Sequence, residues 1–393
     1  MKFCVLLSRA EMQADYIQVI EGLAQKGHQL YVFLHKKPIY WKPISDRIKI
    51  FTITEWFKLD RFSPINLMST SAALLIKKKN IDVIYATGTR IGEGLISGIL
   101  SQKPVLVDVR NPWSVQGSDF LKDKTKKTVI GYSIRRNKLR MEELLIHRAK
   151  RITSYSKGIK LWLENTLNIK SNIIKIIGPH VNLEKFESKK KSKKLITKYK
   201  LSDSKILMYV GVIDPGRGLE TAIEALAMAK LSTGQSIKLV IVGPIDTSNS
   251  KKHIGLLEEK IRKLDVVNDV VFTGIVPFNQ IQDYTSIADI FLVPHKDCFT
   301  YRISPPVKVV EYMASGKPII TTNVGISDFL SHNNSALIVE PEDSVQMAKS
   351  IINIIRSKDL SNKLSKNAYN IAYRNHNLDN MVDKFEKELI STK

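Results

Sequence analysis

Cysteine is nearly absent: the 393 residues hold two, Cys4 and Cys298. Thiols so few and so far apart make neither a disulfide framework nor a metal knuckle, which points to a reducing compartment and no structural zinc. Long apolar runs are missing as well. No window approaches the roughly 18 uninterrupted apolar residues that would span a bilayer. The opening MKFCVLLSRAEMQADY has a short apolar run, no small-residue cleavage site and an early return to polar sequence, so it reads as a first strand rather than a signal peptide. There is no H-E-x-x-H, no paired cysteine and no G-x-S-x-G. The usual zinc-hydrolase and serine-nucleophile patterns are thereby excluded, and no metal or other cofactor is expected.

Acidic residues are the other shortage: 38 Asp and Glu stand against 61 Lys and Arg, a formal net charge of +23. The imbalance is uneven. Residues 1–180 hold 31 basic and 14 acidic side chains, or +17, whereas the remaining residues hold 30 and 24, or +6. A basic first half suits an anionic partner (nucleic acid, phospholipid or a phosphorylated substrate) or is simply a lysine-rich solvated surface. Its densest tract, residues 121–151, carries eleven Lys/Arg, three acids and one aromatic, Tyr132. A basic amphipathic helix there would lie on an anionic membrane surface. One aromatic gives few platforms for base stacking, which argues against nucleic acid.

What the sequence has in quantity is alternation. Short apolar or β-branched runs (KFCVLL, QLYVFL, IKIFTI, IDVIYA, PVLVDV, RITSYS, NIIKIIG) alternate with helical-period segments such as ADYIQVIEGLAQKG. Near-continuous apolar strands between helices indicate a parallel sheet covered on both faces. After the Lys-dense stretch ESKKKSKKLITKYKLSDSK at 187–205, with the composition of a linker or a solvated surface segment, the pattern restarts with ILMYVGV, IKLVIVG, VVFTG, DIFLVP, PIITT and ALIVE. The expectation is α/β with two doubly wound Rossmann-like domains facing across a cleft: 1–178, 179–375, and a C-terminal amphipathic helix, 376–393, packing back on the first.

Ligands of such sheets bind beyond the carboxyl ends of the strands, and three stretches fall there. In SPPVKVVEYMASGKPIITT, residues 304–322, Ser304 and Pro305 favour a helix start, Gly316 and Pro318 a stop, and Lys308 and Glu311 share one face. Such a helix would offer N–H groups and an ammonium to a diphosphate and a carboxylate to two ribose hydroxyls; an ordinary i,i+3 surface ion pair accounts for the same spacing. In YVGVIDPGRGLETAIEAL, residues 209–226, Gly211, Gly216 and Gly218 let backbone approach a phosphate that Arg217 would bind, or simply make a strand-to-helix turn. In VLVDVRNPW, Asp108, Arg110 and Asn111 close a buried strand. Of the histidines, only His295, beside Asp297 after DIFLVP, has such an address.

In order and spacing these segments resemble the family 4 glycosyltransferases, retaining enzymes with the two-domain GT-B fold. LAQKGHQLYVF, AKRITSYSKGIKLWL, IIGPHVNLEKF, YVGVIDPGRGLETAIEAL and VVFTGIVPFNQIQDYTSIADIFLVP with SPPVKVVEYMASGKPIITT match the family's succession of motifs. The resemblance implies Glu311 on the donor ribose, Arg217 on the diphosphate, Ser304, Pro305 and Lys308 beneath the phosphates, Gly211 in the phosphate turn, and Gly274 to Val276 beside the nucleobase. It implies a nucleotide sugar donor and a glycan or polyprenyl-linked acceptor, handled in the cytoplasm or peripherally at the inner face of the membrane. Three departures stand out. The family's first glutamate falls on Ile303, so Asp297 is the substitute carboxylate, with Asp108 as the second catalytic candidate. Val212 replaces the usual arginine, and SRAEMQAD replaces a glycine pair, leaving Arg9 to reach the phosphate. A nucleotide-sugar epimerase, an inactive GT-B protein and a basic nucleic-acid binder remain as alternatives.

Overall fold

The computed structural model describes residues 1–7, 14–34, 41–52, 66–110, 140–186, 190–244, 248–277, 280–304, 306–326 and 328–393. Arg9, Asn111, Pro305 and most of the basic tract at 121–151 lie outside them. Two compact units result: Met1–Pro179 with Leu378–Lys393, and His180–Asn377.

The first unit carries a seven-stranded parallel sheet: β1 (Lys2–Leu6), β2 (Gln29–Leu34), β3 (Ile48–Thr52), β4 (Val83–Thr87), β5 (Val105–Val109), β6 (Arg151–Ser154) and β7 (Ile174–Ile176), in the order β3-β2-β1-β4-β5-β6-β7. β4 and β5 are buried at every position, and apart from Asp108 their apolar and β-branched composition is that of strands covered on both faces. The C-terminal helix Leu378–Thr392 belongs to this unit. It packs against the helix Ala14–Gln25 and against β4 and β5. Met381, Val382, Phe385 and Leu389 enter the same core as Ile20, Leu23 and Tyr85, and Phe385 meets the Tyr85 ring edge-on at 5.8 Å. Ion pairs flank the seam: Lys26 Nζ lies 2.6 Å from Asp383 and 2.9 Å from Glu386.

The second unit has six parallel strands: β8 (Lys205–Val210), β9 (Ile237–Val242), β10 (Val270–Phe272), β11 (Ile290–Val293), β12 (Ile319–Thr322) and β13 (Leu337–Val339), in the order β10-β9-β8-β11-β12-β13. Apolar clusters cover both faces. The Lys-dense stretch is not a linker. Its helix Lys193–Lys198 buries Leu195 in this unit's core while its lysines stay at the surface. The unit closes on itself where the chain enters and leaves it, with the Val181 amide donating to the His376 carbonyl at 2.9 Å.

Phe385→Ala should cost about 3–5 kcal/mol of unfolding free energy, the usual range for truncating a fully buried aromatic. Chemical denaturation monitored by circular dichroism reads it; a loss under about 1 kcal/mol would mean that the C-terminal helix is not part of the first core.

Candidate active site

In the second sheet the direction of crossover reverses between β8 and β11, the place where doubly wound sheets open a crevice. The chain leaves β8 at Gly211 and β11 at Pro294, and polar side chains gather at these two exits. Lys308 opens the helix Lys308–Ala314 and points its ammonium at Gly211. A Cβ on Gly211 would stand 2.5 Å from Lys308 Nζ and displace it, and φ there is +148°, which favours glycine. The ammonium lies 3.9 Å from the centroid of the Tyr209 ring, and the Tyr209 hydroxyl donates to the Val212 carbonyl at 2.8 Å. Lys308 Nζ is buried and has no hydrogen-bond partner among the described residues. Burial, then the Arg217 guanidinium, hold its pKa well below the usual lysine range, with Asp214 and Glu311 pulling weakly the other way.

Arg217 is presented by the turn Pro215–Arg217. Asp214 holds the turn, accepting from the Gly216 amide at 3.0 Å and from Arg217 Nε at 3.1 Å. Gly218, at φ +63°, presses the turn against β11: a Cβ there would sit 1.8 Å from the Pro294 carbonyl oxygen. Arg217 Nη1 lies 3.3 Å from His295 Nε2, and its guanidinium is 4.8 Å from the Tyr301 ring centroid. His295 is 1% exposed. Burial, then Lys308 and Arg217, push its pKa well below the usual value. The imidazole is therefore neutral, with Nε2 accepting from Arg217 and the proton on Nδ1. Glu311 lies one turn beyond Lys308; burial raises its carboxyl to about 7 against the opposing pull of Lys308. A buried ammonium without a hydrogen-bond partner is costly, and an incoming anion relieves that cost. The arrangement is built to receive an oxyanion between Lys308 and Arg217, with a carboxyl beside it.

Several expectations change here. Ser304 does not cap the Lys308 helix. It ends a separate short helix, Phe299–Ile303, with its amide donating to the Thr300 carbonyl at 2.9 Å. The Lys308 helix is preceded by Val307, which makes no side-chain cap, and spans seven residues. Pro306, with no N–H of its own to donate, accepts the Val309 amide at 3.1 Å in the turn before it. Asp297 is held in a two-pronged ion pair with Arg302, both contacts at 2.5 Å. That pair holds its pKa below the usual carboxylate range. Gly274 follows β10, its carbonyl accepting from the Gly243 amide at 3.2 Å, and Val276 packs on the core. Both lie on the same sheet edge, two strands from β8. Tyr209, Asp214 and Tyr301 escaped sequence reasoning; Asp214 had a signal, three residues before Arg217.

In the first unit Asp108 lies near the end of β5, 1% exposed. Its carboxylate accepts from Thr153 Oγ1 at 2.7 Å, Arg110 Nε at 2.9 Å, the Tyr85 hydroxyl at 3.2 Å and Thr87 Oγ1 at 3.3 Å. Arg110 lies over the Tyr16 ring, 3.5 Å from its centroid, with Tyr155 at 5.4 Å. Burial raises Asp108 to about 6 against those hydrogen bonds and lowers Arg110 to about 10, so both are charged at pH 7. Four donors on two buried oxygens make Asp108 an anchor for Arg110 and for the ends of three strands. They do not leave it as an exposed base, contrary to the catalytic role expected for it.

Two family models match this chain: "Glycosyl transferases group 1" over residues 191–371 and "Glycosyl transferase 4-like" over residues 4–156. Together they take in most of both units, and the chain belongs to the family 4 type of glycosyltransferase, with its two parallel α/β units. It is 25% identical over 226 residues to the putative glycosyltransferase YtcC of Bacillus subtilis, covering 55% of this chain and 54% of that one. It is 25% identical over 317 residues to the capsular polysaccharide biosynthesis glycosyltransferase CapM of Staphylococcus aureus, covering 78% and 75%. The match thus spans about half the length of the first relative. HepE of Anabaena, solved in complex with UDP, shares the fold over the full length of both chains, with a TM-score of 0.78 at 17% identity.

Asp108 gives a checkable consequence. Its pKa in the folded protein is raised, so the stability linked to its proton is present below about pH 4 and is lost as pH rises through about 6. Between pH 4 and 7 the unfolding free energy of the wild type should fall relative to that of Asp108→Asn, by up to about 3 kcal/mol. Denaturant titrations across that range test it; parallel curves would contradict the buried, charged anchor.

Proposed function

We propose that this glycosyltransferase is a retaining enzyme that moves a sugar from a nucleotide diphosphate sugar to a glycan or polyprenyl-linked acceptor. The observation that carries the reading is the buried, unpartnered Lys308 ammonium beside Arg217 at the β8–β11 crevice. Lys308 Nζ stands against Gly211, immediately before Val212, so it supplies a cation next to the position where the family's arginine is missing. The acceptor hydroxyl attacks the anomeric carbon on the face from which the diphosphate leaves. The new C–O bond forms as the bond to the β-phosphate oxygen breaks, the electron pair goes to the diphosphate, and the acceptor proton passes to a donor phosphate oxygen. Arg217 and Lys308 stabilise the charge that grows on the leaving group. Glu311 accepts the two ribose hydroxyls and so fixes the register of the donor. Neutral His295 and Asp214 orient Arg217.

CapM is named for capsular polysaccharide biosynthesis, and HepE was solved with UDP-glucose. A uridine nucleotide and a polysaccharide-building acceptor are therefore the first choices for this chain. Among the described residues no helix is long and apolar enough to cross a membrane; the basic first half supports peripheral contact with an anionic inner surface. One observation favours a second reading, nucleotide binding without turnover: Ile303 stands at the first-glutamate position and Asp297 is committed to Arg302.

Thermal unfolding with UDP, GDP and ADP tests the donor site. A nucleotide at about 100 times its dissociation constant adds roughly 2.7 kcal/mol, or a few degrees in melting temperature. One base should give that shift in the wild type, and Lys308→Gln and Glu311→Ala should lose most of it. No shift with any nucleotide would contradict the reading. A shift without sugar transfer in the presence of polyprenyl-phosphate or glycan acceptors would favour the second reading.

A further inference from the structure

The opposite edge of the second sheet, where its strands begin, carries a recess of about 520 Å³ that the donor site does not use. Asp289 immediately precedes β11 and Lys317 precedes β12, and the helix Lys358–Asn375 crosses beside them. Ser361, Ser365, Lys366 and Tyr369 line the recess from that helix. Ser361, Ser365 and Tyr369, at i, i+4 and i+8, lie on one stripe of that helix, and Lys366 borders it. The lining carries two ammonium groups, three hydroxyls and the Asn362 amide.

Its one carboxylate is already engaged. Asp289 Oδ1 pairs with Lys191 Nζ at 2.7 Å, and Oδ2 accepts the Ile206 amide at 2.9 Å. Asp289 therefore ties the strand edge together through Lys191 and the Ile206 amide, and it offsets the Lys317 charge only from a distance. Partial burial, then the nearby Lys191, hold the Lys317 ammonium below the usual lysine pKa, with Asp289 opposing. A recess lined by two ammonium groups, three hydroxyls and the Asn362 amide, with a volume within the small-molecule range of roughly 300–1,000 Å³, suits a small oxyanion carrying hydroxyls of its own.

We propose that this recess is a binding site for a small phosphate monoester of a polyol or sugar, with Lys317 and Lys366 on the phosphate and Ser361, Ser365 and Tyr369 on its oxygens and hydroxyls. The site is separate from the donor crevice, on the other edge of the same sheet, and it does not depend on the proposed donor. Its effect on the enzyme would be transmitted through β11 and β12, both of which begin at the recess and end at the crevice.

The test is isothermal titration of the full chain with inorganic phosphate and with glycerol 3-phosphate, at constant ionic strength set with chloride. Three proteins are compared: wild type, Lys317→Gln/Lys366→Gln, and Lys308→Gln. Saturable binding is expected in the wild type and in Lys308→Gln, with at least a tenfold loss of affinity in the double variant and tighter binding of glycerol 3-phosphate than of inorganic phosphate. Wild-type-like far-ultraviolet circular dichroism of the double variant keeps the comparison valid. The proposal is overturned by absence of saturable binding in the wild type, by binding unchanged in the double variant, or by loss in Lys308→Gln instead, which would place the phosphate in the donor crevice. Nucleotide binding measured on the same proteins separates the two sites: its failure would count against the donor crevice alone.

Discussion

A buried ammonium with no hydrogen-bond partner among the described residues is the feature around which the second unit is organised. Lys308 Nζ is kept against the Tyr209 ring and over Gly211, where any side chain on residue 211 would displace it. An aromatic face returns only part of what hydration would give an ammonium, on the order of 1–2 kcal/mol. The free protein therefore holds this group in an unfavourable state, and the nearby Arg217 makes it more so. The carboxylates near it are shared or only partly ionised: Asp214 is bound to Arg217 and the Gly216 amide, and Glu311 is raised to about 7. Such a site gains most from an anion that arrives from outside.

The fold explains how this strain is sustained. β8 lies in the middle of a parallel sheet with apolar layers on both faces, so Tyr209 and Gly211 are fixed by the core rather than by the site. Gly218 locks the Arg217 turn onto the end of β11, and the Tyr312 hydroxyl, one residue after Glu311, accepts the Val210 amide at 2.8 Å. Helix, turn and strand end are thus mutually located by backbone contacts. The side chains that meet an anion are carried on parts that do not need to move to meet it.

Much of this was readable in the sequence. The thirteen strands of the described residues fall on the apolar runs, because the central strands of a parallel sheet covered on both faces are mostly apolar. Arg217, Lys308 and Glu311 come together at the crevice because strand ends and helix starts obey the same topological rule in any doubly wound sheet. What could not be read were contacts between distant residues and choices made by a few hydrogen bonds. Lys308 and Tyr209 are far apart in the chain, so no spacing announces their contact. Ser304 resembled a cap by composition, yet the preceding five residues formed their own helical turn and used its amide. Asp297 had a plausible address but found Arg302, five residues on, as its partner. Asp108 looked like a site residue because buried strand ends collect polar groups; the same burial gave it four donors and an anchoring role.

The most direct measurement is the proton count on binding the nucleoside diphosphate that the protein accepts, by calorimetry in buffers of differing ionisation enthalpy between pH 7 and 9. An anion beside Lys308 raises its depressed pKa, so binding should take up protons in the wild type and take up clearly fewer in Lys308→Gln. Binding with no proton uptake, or with uptake unchanged in the variant, would contradict a diphosphate seated on the buried ammonium.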